Sequence, residues 1–488
     1  MEGHCPERTP AILFLGSLFA VFAACRQEVP APQPLYPIPN EWQLAWHEME
    51  QYAFIHFTTN TFTGKEWGYG DESPAIFNPI NTDVRQWARV IKESGLKGLI
   101  LTCKHHDGFC LWPSEYTEHS IKNSPYRNGK GDLVKEVADA CKEYGLKFGV
   151  YLSPWDRNHS EYGKQEYLDY YRNQLRELIQ DYGPVFEIWF DGANGGDGYY
   201  GGTREIRKID NRIYYDWPVT IAMVREMAPD AVMFSDGGPD IRWCGNEKGY
   251  IGETNWCTLS VDTLYAGKAG INQLLNQGSE TGHSWVPAEV DVSIRPGWFY
   301  HENEDDEVRT AENLFGIYLQ SVGRGANLLL NIPPTKEGLI HEKDVAVLLK
   351  WKNLLDDTFA DNLALSAKVS ATSWRGKSEQ YAPNMVSDND KNTYWATDDM
   401  INSGCLEFHW DIPQKIRYVL IQEYIKLGQR IQEVEVDVWD GKEWVPSAKA
   451  TTIGYKRILP ILEVETTGLR IHIKRAKACP VISNIEIY

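Results

Sequence analysis

From residue 41 to about 350 the chain alternates two textures. Short apolar runs are followed by longer stretches whose apolar positions recur every three or four residues. The runs "AFIHF" (53–57), "LKGLILT" (96–102), "LKFGVYLS" (146–153), "VFEIWF" (185–190) and "AVMFS" (231–235) predict buried strands, and "DVSI" (291–294) and "NLLLNI" (327–332) resemble later ones. "TDVRQWARVIKESG", "GDLVKEVADACKEYG" and "EYLDYYRNQLRELIQDYG" predict the intervening helices, each closed by a glycine. Gly-Leu-Lys joins a helix to the next strand twice, at 95–97 and at 145–147. Wholly apolar strands separated by helices pair in parallel. Roughly eight such units in this length fit a (β/α)8 barrel over 41–355. A doubly wound α/β sheet is the alternative, but no Gly-rich dinucleotide loop follows the first strand.

After residue 355 the pattern changes. Residues 364–488 read as short alternating strands, among them "CLEFHWDI", "RYVLIQEY", "EVEVDVWD" and "TGLRIHIKR". Helical periods give way to alternation, which predicts an all-β sandwich.

The N-terminus adds a targeting signal. "AILFLGSLFAVFAAC" is apolar, ends in small residues before Cys25, and is too short for a comfortable membrane span. It resembles a bacterial lipoprotein signal over 1–25, with Cys25 as the lipid attachment site. An ordinary cleaved signal is the alternative, since Arg8 is the lone arginine or lysine before the apolar run. The expectation is a periplasmic or cell-surface protein that meets the membrane only through a lipid anchor. The Pro-rich stretch 26–40 reads as an extended tether.

Charge narrows the partners. The net charge of -19 opposes binding to nucleic acid or an anionic membrane surface. Seven cysteines follow Cys25, with no CxxC, and read as buried free thiols. The 18 tryptophans and 26 tyrosines offer flat faces to sugar rings, though large barrels are rich in aromatics anyway.

Chemistry in a barrel collects at the C-terminal ends of the strands. Those ends carry His56, with "GKEW" in the loop beyond it, then His105 and His106 in "CKHHDGFCLW", Tyr151, and Asp191 in "EIWFDGANGG". "FSDGGPDIRWCGNEKGYIGETNW" follows with Asp236, Arg242, Glu247 and Glu253, and "AEVDVSIRPGWFY" with Glu289 and Trp298. Several carboxylates among histidines and tryptophans suit glycoside hydrolysis, which needs one carboxylate and one carboxylic acid across the anomeric carbon. Simpler readings stand beside this one. Asp191 before glycine could cap a turn. The histidines could be core residues or metal ligands, though no HxH or HExxH spacing supports a metal.

"HHDGFCLW", "WFDG", "GKEW" and "RPGWF" closely resemble the α-L-fucosidases of glycoside hydrolase family 29. "FSDGGPDIRWCGNE" with "AEVDVSIRPGWF" is similar to the subgroup selective for α-1,3/1,4 linkages. The resemblance implies a retaining exo-α-L-fucosidase with Asp191 as nucleophile and no required cofactor. It implies that His56, Glu66, Trp67, His105, His106 and Tyr151 surround fucose. Arg242 would assist near the carboxylates, and Trp298 would meet the C5 methyl group. Glu247 is the favoured acid/base, with Glu253 and Glu289 as alternatives and Glu289 also a candidate for the leaving-group subsite. "MVSDNDKNTYWAT" and the strands after it resemble a discoidin-type (coagulation-factor C-type), galactose-binding-like domain. Asp388 and Asp390 are its candidate calcium ligands, an ordinary turn being the other reading. The substrates implied are fucosylated oligosaccharides or glycoprotein glycans. Rival functions are a non-catalytic glycan-binding lipoprotein, a broad-linkage fucosidase, and a metal-dependent hydrolase using the histidines with Asp191.

Overall fold

The computed structural model describes residues 1–3 and 29–488; the apolar run of the expected signal, with Cys25, lies outside the described residues. Pro32–Tyr488 forms one compact unit containing two separate cores. Eight parallel strands close a barrel in chain order. They are β1 (Gln51–Ile55), β2 (Gly98–Lys104), β3 (Lys147–Leu152), β4 (Glu187–Trp189), β5 (Val232–Ser235), β6 (Ile241–Trp243), β7 (Ala288–Ser293) and β8 (Asn327–Asn331). β8 pairs back onto β1, with Gln51 opposite Leu328.

The helices start and stop where local chemistry dictates. Asp83 and Asp132 cap Val84–Glu93 and Leu133–Tyr144 through the first free amides. Gly95 and Gly145 take left-handed conformations with φ of +78° and +66°. Leu96 and Leu146 then turn into the core before the next strand. The repeated Gly-Leu-Lys is therefore a helix stop joined to a strand start.

β6 is a strand that the apolar runs of the sequence do not mark. Only a short turn, with no helix, separates β5 from β6. Alternation along three residues sends Ile241 and Trp243 into the barrel and Arg242 out of it. The barrel axis is filled by Tyr52, Phe54, Tyr151, Trp189 and Phe234 with Ile241 and Leu329. Helix Glu41–Met49 adds Trp46 and Met49 at the strand-start end.

The C-terminal domain is a seven-stranded antiparallel array around its own core. Two stretches expected as separate strands form one continuous strand, Gly404–Glu423, which pairs with the equally long Arg457–Ala476. Register shifts between His409 and Gln414, and between Ile416 and Tyr418, bend the pair. Leu420 and Ile458 of this domain join the barrel's core, and Lys456 pairs with Glu50 beside helix Glu41–Met49. The second half of the expected tether is docked: the Leu35 amide donates to Leu427 O at 2.9 Å and Arg430 donates to Gln33 O at 2.6 Å. Asp388 and Asp390 accept from Asp390 N, Thr393 Oγ1 and Asn392 N of their own loop.

Candidate active site

Along β4 and just past it, Glu187, Trp189 and Asp191 occupy alternate positions. A strand repeats every two residues, so all three face the barrel axis, and Asp191 emerges at its top. Asp191 Oδ2 accepts from the Tyr151 hydroxyl at 2.9 Å, and Oδ1 accepts from the Ala193 amide at 2.6 Å. The carboxylate stays 23% exposed, which leaves it open to the pocket. The glycine that follows has a steric cause. A Cβ on Gly192 would stand 2.2 Å from Asp236 Oδ2. Asp236 is fixed there by the Gly267 amide at 2.7 Å, and burial, then the Asp191 charge, lifts its carboxyl to about 6. The loop beyond forms a small hairpin, Gly196–Gly198 with Glu205–Arg207, held by Arg157 on Asp197 at 2.8 Å.

Three histidines line one wall. Asn331 Nδ2 donates to Ser293 Oγ and Trp298 O, both at 2.9 Å, so its Oδ1 must accept the His56 Nδ1–H at 2.8 Å. Ser153 Oγ donates to Trp155 O at 2.6 Å and therefore accepts from His106 Nδ1 at 2.7 Å. Both imidazoles thus carry the lone pair on Nε2. His106 Nε2 faces Asp191 Oδ2 at 3.9 Å. Two acceptors across that gap suit a sugar hydroxyl that donates into it. Burial holds all three histidines below the ordinary range, His56 at about 3, so they work as neutral groups. His105 stacks with Tyr151 at 5.9 Å, and its Nδ1 has no hydrogen-bond partner among the described residues.

The rim adjoining these histidines is built on Glu66. Its carboxylate accepts from the Trp298 amide at 2.7 Å and meets His301 Nε2 at 2.6 Å. Glu66 thus holds the "RPGWF" loop in place. Trp298 lies against His56 at 5.3 Å and donates from Nε1 towards Glu247 Oε2 at 3.4 Å. Trp67 is half-exposed and stands edge-on to His106 and Trp155. Burial, with Asp191 and Glu66 as like charges, pushes the Glu247 carboxyl upward. A raised carboxyl within electrostatic reach of an open carboxylate is the asymmetry that acid/base chemistry with a nucleophile requires. The structure therefore brings together Asp191, His56, His105, His106, Tyr151, Glu66, Trp67, Trp298 and Glu247.

Three expected residues fall elsewhere. Arg242 points away from the pocket, because it is the middle residue of β6. It donates to Leu275 O at 2.8 Å, to Asn255 Oδ1 at 2.9 Å and to Val286 O, and is wholly buried. Glu253 is 83% exposed, pairs with Arg324 at 3.7 Å and lies against the C-terminal domain, where Arg457 takes its carbonyl. Glu289 is buried on the barrel axis below the site, accepting from Trp189 Nε1 at 2.8 Å. It therefore contributes to no leaving-group subsite.

Glu289 has a different partner. The Tyr52 hydroxyl reaches both Glu289 and, at 2.9 Å, Glu187. One phenolic proton can serve only one carboxylate, so the other contact requires a protonated carboxyl. Burial raises both groups above the ordinary carboxylate range. A carboxyl raised on folding contributes stability in acid and loses it as pH rises through the raised value. Glu289→Gln removes one such titration. Its melting temperature should fall less than the wild type's between about pH 5 and pH 8, by about 2–4 °C. Parallel melting curves would contradict this.

Some residues of the site went unnoticed in the sequence. Asp291 sits on β7 two positions beyond Glu289 and accepts from Trp243 Nε1 at 2.7 Å. Burial, then the charges of Glu247 and Glu289, holds its carboxyl well above the ordinary range. The alternation of Glu289, Asp291 and Ser293 was the available signal. Asn331 and Ser153, which set the histidine tautomers, carry no signal of their own. Among the described residues no three His, Cys, Asp or Glu side chains meet as a metal-ligating group.

Comparison with known proteins agrees with this geometry. A family model described as alpha-L-fucosidase matches residues 19–357. Alpha-L-fucosidase 1 of Arabidopsis thaliana is 41% identical over 465 residues, 94% of this chain and 89% of that protein. Among solved structures, a glycoside hydrolase 29 family member from an unknown rumen bacterium is 43% identical with a TM-score of 0.84, covering 94% of this chain and 78% of that one. A Ruminococcus gnavus GH29 fucosidase solved in complex with fucose is 32% identical with a TM-score of 0.84, over 94% of this chain and 96% of that one.

Proposed function

The chain belongs to the α-L-fucosidase family, glycoside hydrolase family 29, and we propose that it is a retaining exo-enzyme acting on α-1,3/1,4-linked fucose. It is a glycoside hydrolase, and its substrates are fucosylated glycans. The observation that carries the mechanism is the pairing of an open Asp191 with a Glu247 carboxyl raised by burial.

Asp191 attacks the anomeric carbon as the glycosidic bond breaks. Glu247 gives its proton to the departing oxygen. The fucosyl group is then an ester on Asp191, and the leaving sugar departs as a neutral alcohol. Water enters, Glu247 takes one of its protons, and the hydroxide equivalent displaces Asp191. Two inversions leave the anomeric configuration as it began. The Tyr151 hydroxyl steadies the carboxylate, and His56 and His106 accept from sugar hydroxyls. Trp298 offers an apolar face to the C5 methyl group. A carboxylate, a carboxylic acid and hydrogen-bond groups suffice, so no cofactor takes part. An acylated Cys25 would tether the enzyme to a membrane surface.

The linkage preference is inferred from the resemblance of "FSDGGPDIRWCGNE" and "AEVDVSIRPGWF" to the α-1,3/1,4-selective subgroup; the segments that follow β6 and β7 carry Glu247 and Trp298. Fucose release from a 3-fucosylated oligosaccharide should exceed release from 2′-fucosyllactose by at least about 100-fold in kcat/KM, the scale of a loop that rejects the wrong aglycone. Comparable rates on the two would replace this with a broad-linkage enzyme.

A further inference from the structure

The excursion between β6 and β7, residues 244–287, carries Glu247 near its start and then lies against the C-terminal domain. We infer that Gln429, in the C-terminal domain, is a positioning residue for the general acid, fixing through residues 255–257 the excursion that aims Glu247. The inference rests on Glu247 being that acid.

Gln429 is buried and uses both ends of its amide on this segment. Its Oε1 accepts from the Cys257 amide at 2.7 Å, and its Nε2 donates to Asn255 O at 2.9 Å. Thr452 Oγ1 accepts from the Asn255 amide at 2.9 Å, and Arg457 donates to Glu253 O at 2.7 Å. The two turns that present Gln429 and Thr452 are locked together by one buried carboxylate. Glu423 accepts from the amides of Arg430 and Ile431 in one turn, at 2.7 and 2.9 Å, and from the Gly454 amide in the other, at 2.7 Å.

The path from this grip to Glu247 is short and made of hydrogen bonds that end on backbone carbonyls. The Trp256 amide donates to Gln277 O at 2.8 Å, at the end of helix Asn272–Gln277. That helix holds the start of the excursion: Asn272 donates to Gly245 O at 2.9 Å and Asn276 to Cys244 O at 3.0 Å. Glu247 follows two residues later. On the inner side Arg242 ties Asn255 to the same helix through Leu275 O. A shift at 255–257 therefore moves the helix and the segment that bears the acid. A general acid must sit within hydrogen-bond reach of the departing oxygen, and a misplacement of about 1 Å costs about 100-fold. Gln429 has no route to the sugar, so it acts only through this segment.

The test separates positioning from mere folding by the leaving group. An activated aryl fucoside departs without a proton, whereas a natural oligosaccharide needs one. In the full chain, Gln429→Ala should lower kcat/KM on a 3-fucosylated oligosaccharide by about 10-fold or more, part of the 100-fold scale of misplacement, and change an activated aryl fucoside by less than about twofold. Thr452→Val, which removes only the acceptor for the Asn255 amide, should give the same split with a smaller size. Equal losses on both substrates, or no loss on either, would overturn the inference. Glu247→Ala run alongside keeps the two readings apart. If that variant shows no split, the assignment of the acid has failed; if it does and both C-terminal variants do not, the positioning role has failed.

Discussion

Asp191→Ala should lower fucose release by about 10⁴-fold or more while leaving fucose binding within a few-fold of wild type. The substitution removes the attacking oxygen and one of the two acceptors flanking a sugar hydroxyl, and leaves His106 and the other sugar-binding groups in place. His56 keeps its tautomer through Asn331, and His106 keeps its own through Ser153. Trp298 stays fixed by Glu66. Binding can be followed by titrating fucose and watching tryptophan fluorescence, since Trp67 and Trp298 border the pocket. The missing carboxylate leaves room for a small anion. With an activated aryl fucoside, azide should restore turnover by attacking the anomeric carbon as the phenolate departs, giving a β-fucosyl azide. An Asp191→Ala enzyme that retains most of its activity would remove Asp191 from the chemistry. Loss of both binding and turnover would make it a structural residue.

Glu247→Ala should produce a loss that depends on the leaving group. On a 3-fucosylated oligosaccharide the fall should be about 10²–10³-fold, the usual size of general acid catalysis. On an activated aryl fucoside the first step needs no proton, and the loss should be much smaller. The pH profile supplies a second sign. Burial and the nearby Asp191 and Glu66 charges raise the Glu247 carboxyl, so the acid form persists above the ordinary carboxylate range. The wild-type rate on the oligosaccharide should decline on the alkaline side as that proton is lost. The variant should lose this limb. An unchanged limb would place the acid on another residue, and Asp291 would be examined first, since it is the raised carboxyl beside Glu247.

Much of this was legible in the chain because it is written in short periods. The alternation Glu187, Trp189, Asp191 puts a carboxylate at the top of the barrel axis, and Gly-Leu-Lys marks two helix-to-strand joints. The motifs around Glu66, His105, Asp191, Glu247 and Trp298, with His56 and Tyr151 at strand ends, hold the nine side chains that the structure brings together. Other features needed three dimensions. β6 is three residues long and holds an arginine, so neither length nor hydrophobicity marks it as a strand. Missing it left Arg242 free to be assigned to the pocket, when alternation sends it outward. Glu253 and Glu289 each lie near a motif, and sequence distance cannot tell the pocket from the domain interface or the barrel axis. The grip of Gln429 on Asn255 and Cys257 joins residues more than 170 positions apart, beyond any local pattern.

The most direct test of the central claim is to trap the covalent intermediate. A 2-deoxy-2-fluoro-fucosyl fluoride slows both chemical steps, and its reactive leaving group lets the first outrun the second. Intact mass should rise by one fluorofucosyl group as activity is lost, and peptide mapping should place that mass on Asp191. A label on another residue, or turnover of natural substrate that releases β-fucose first with no adduct formed, would contradict the account.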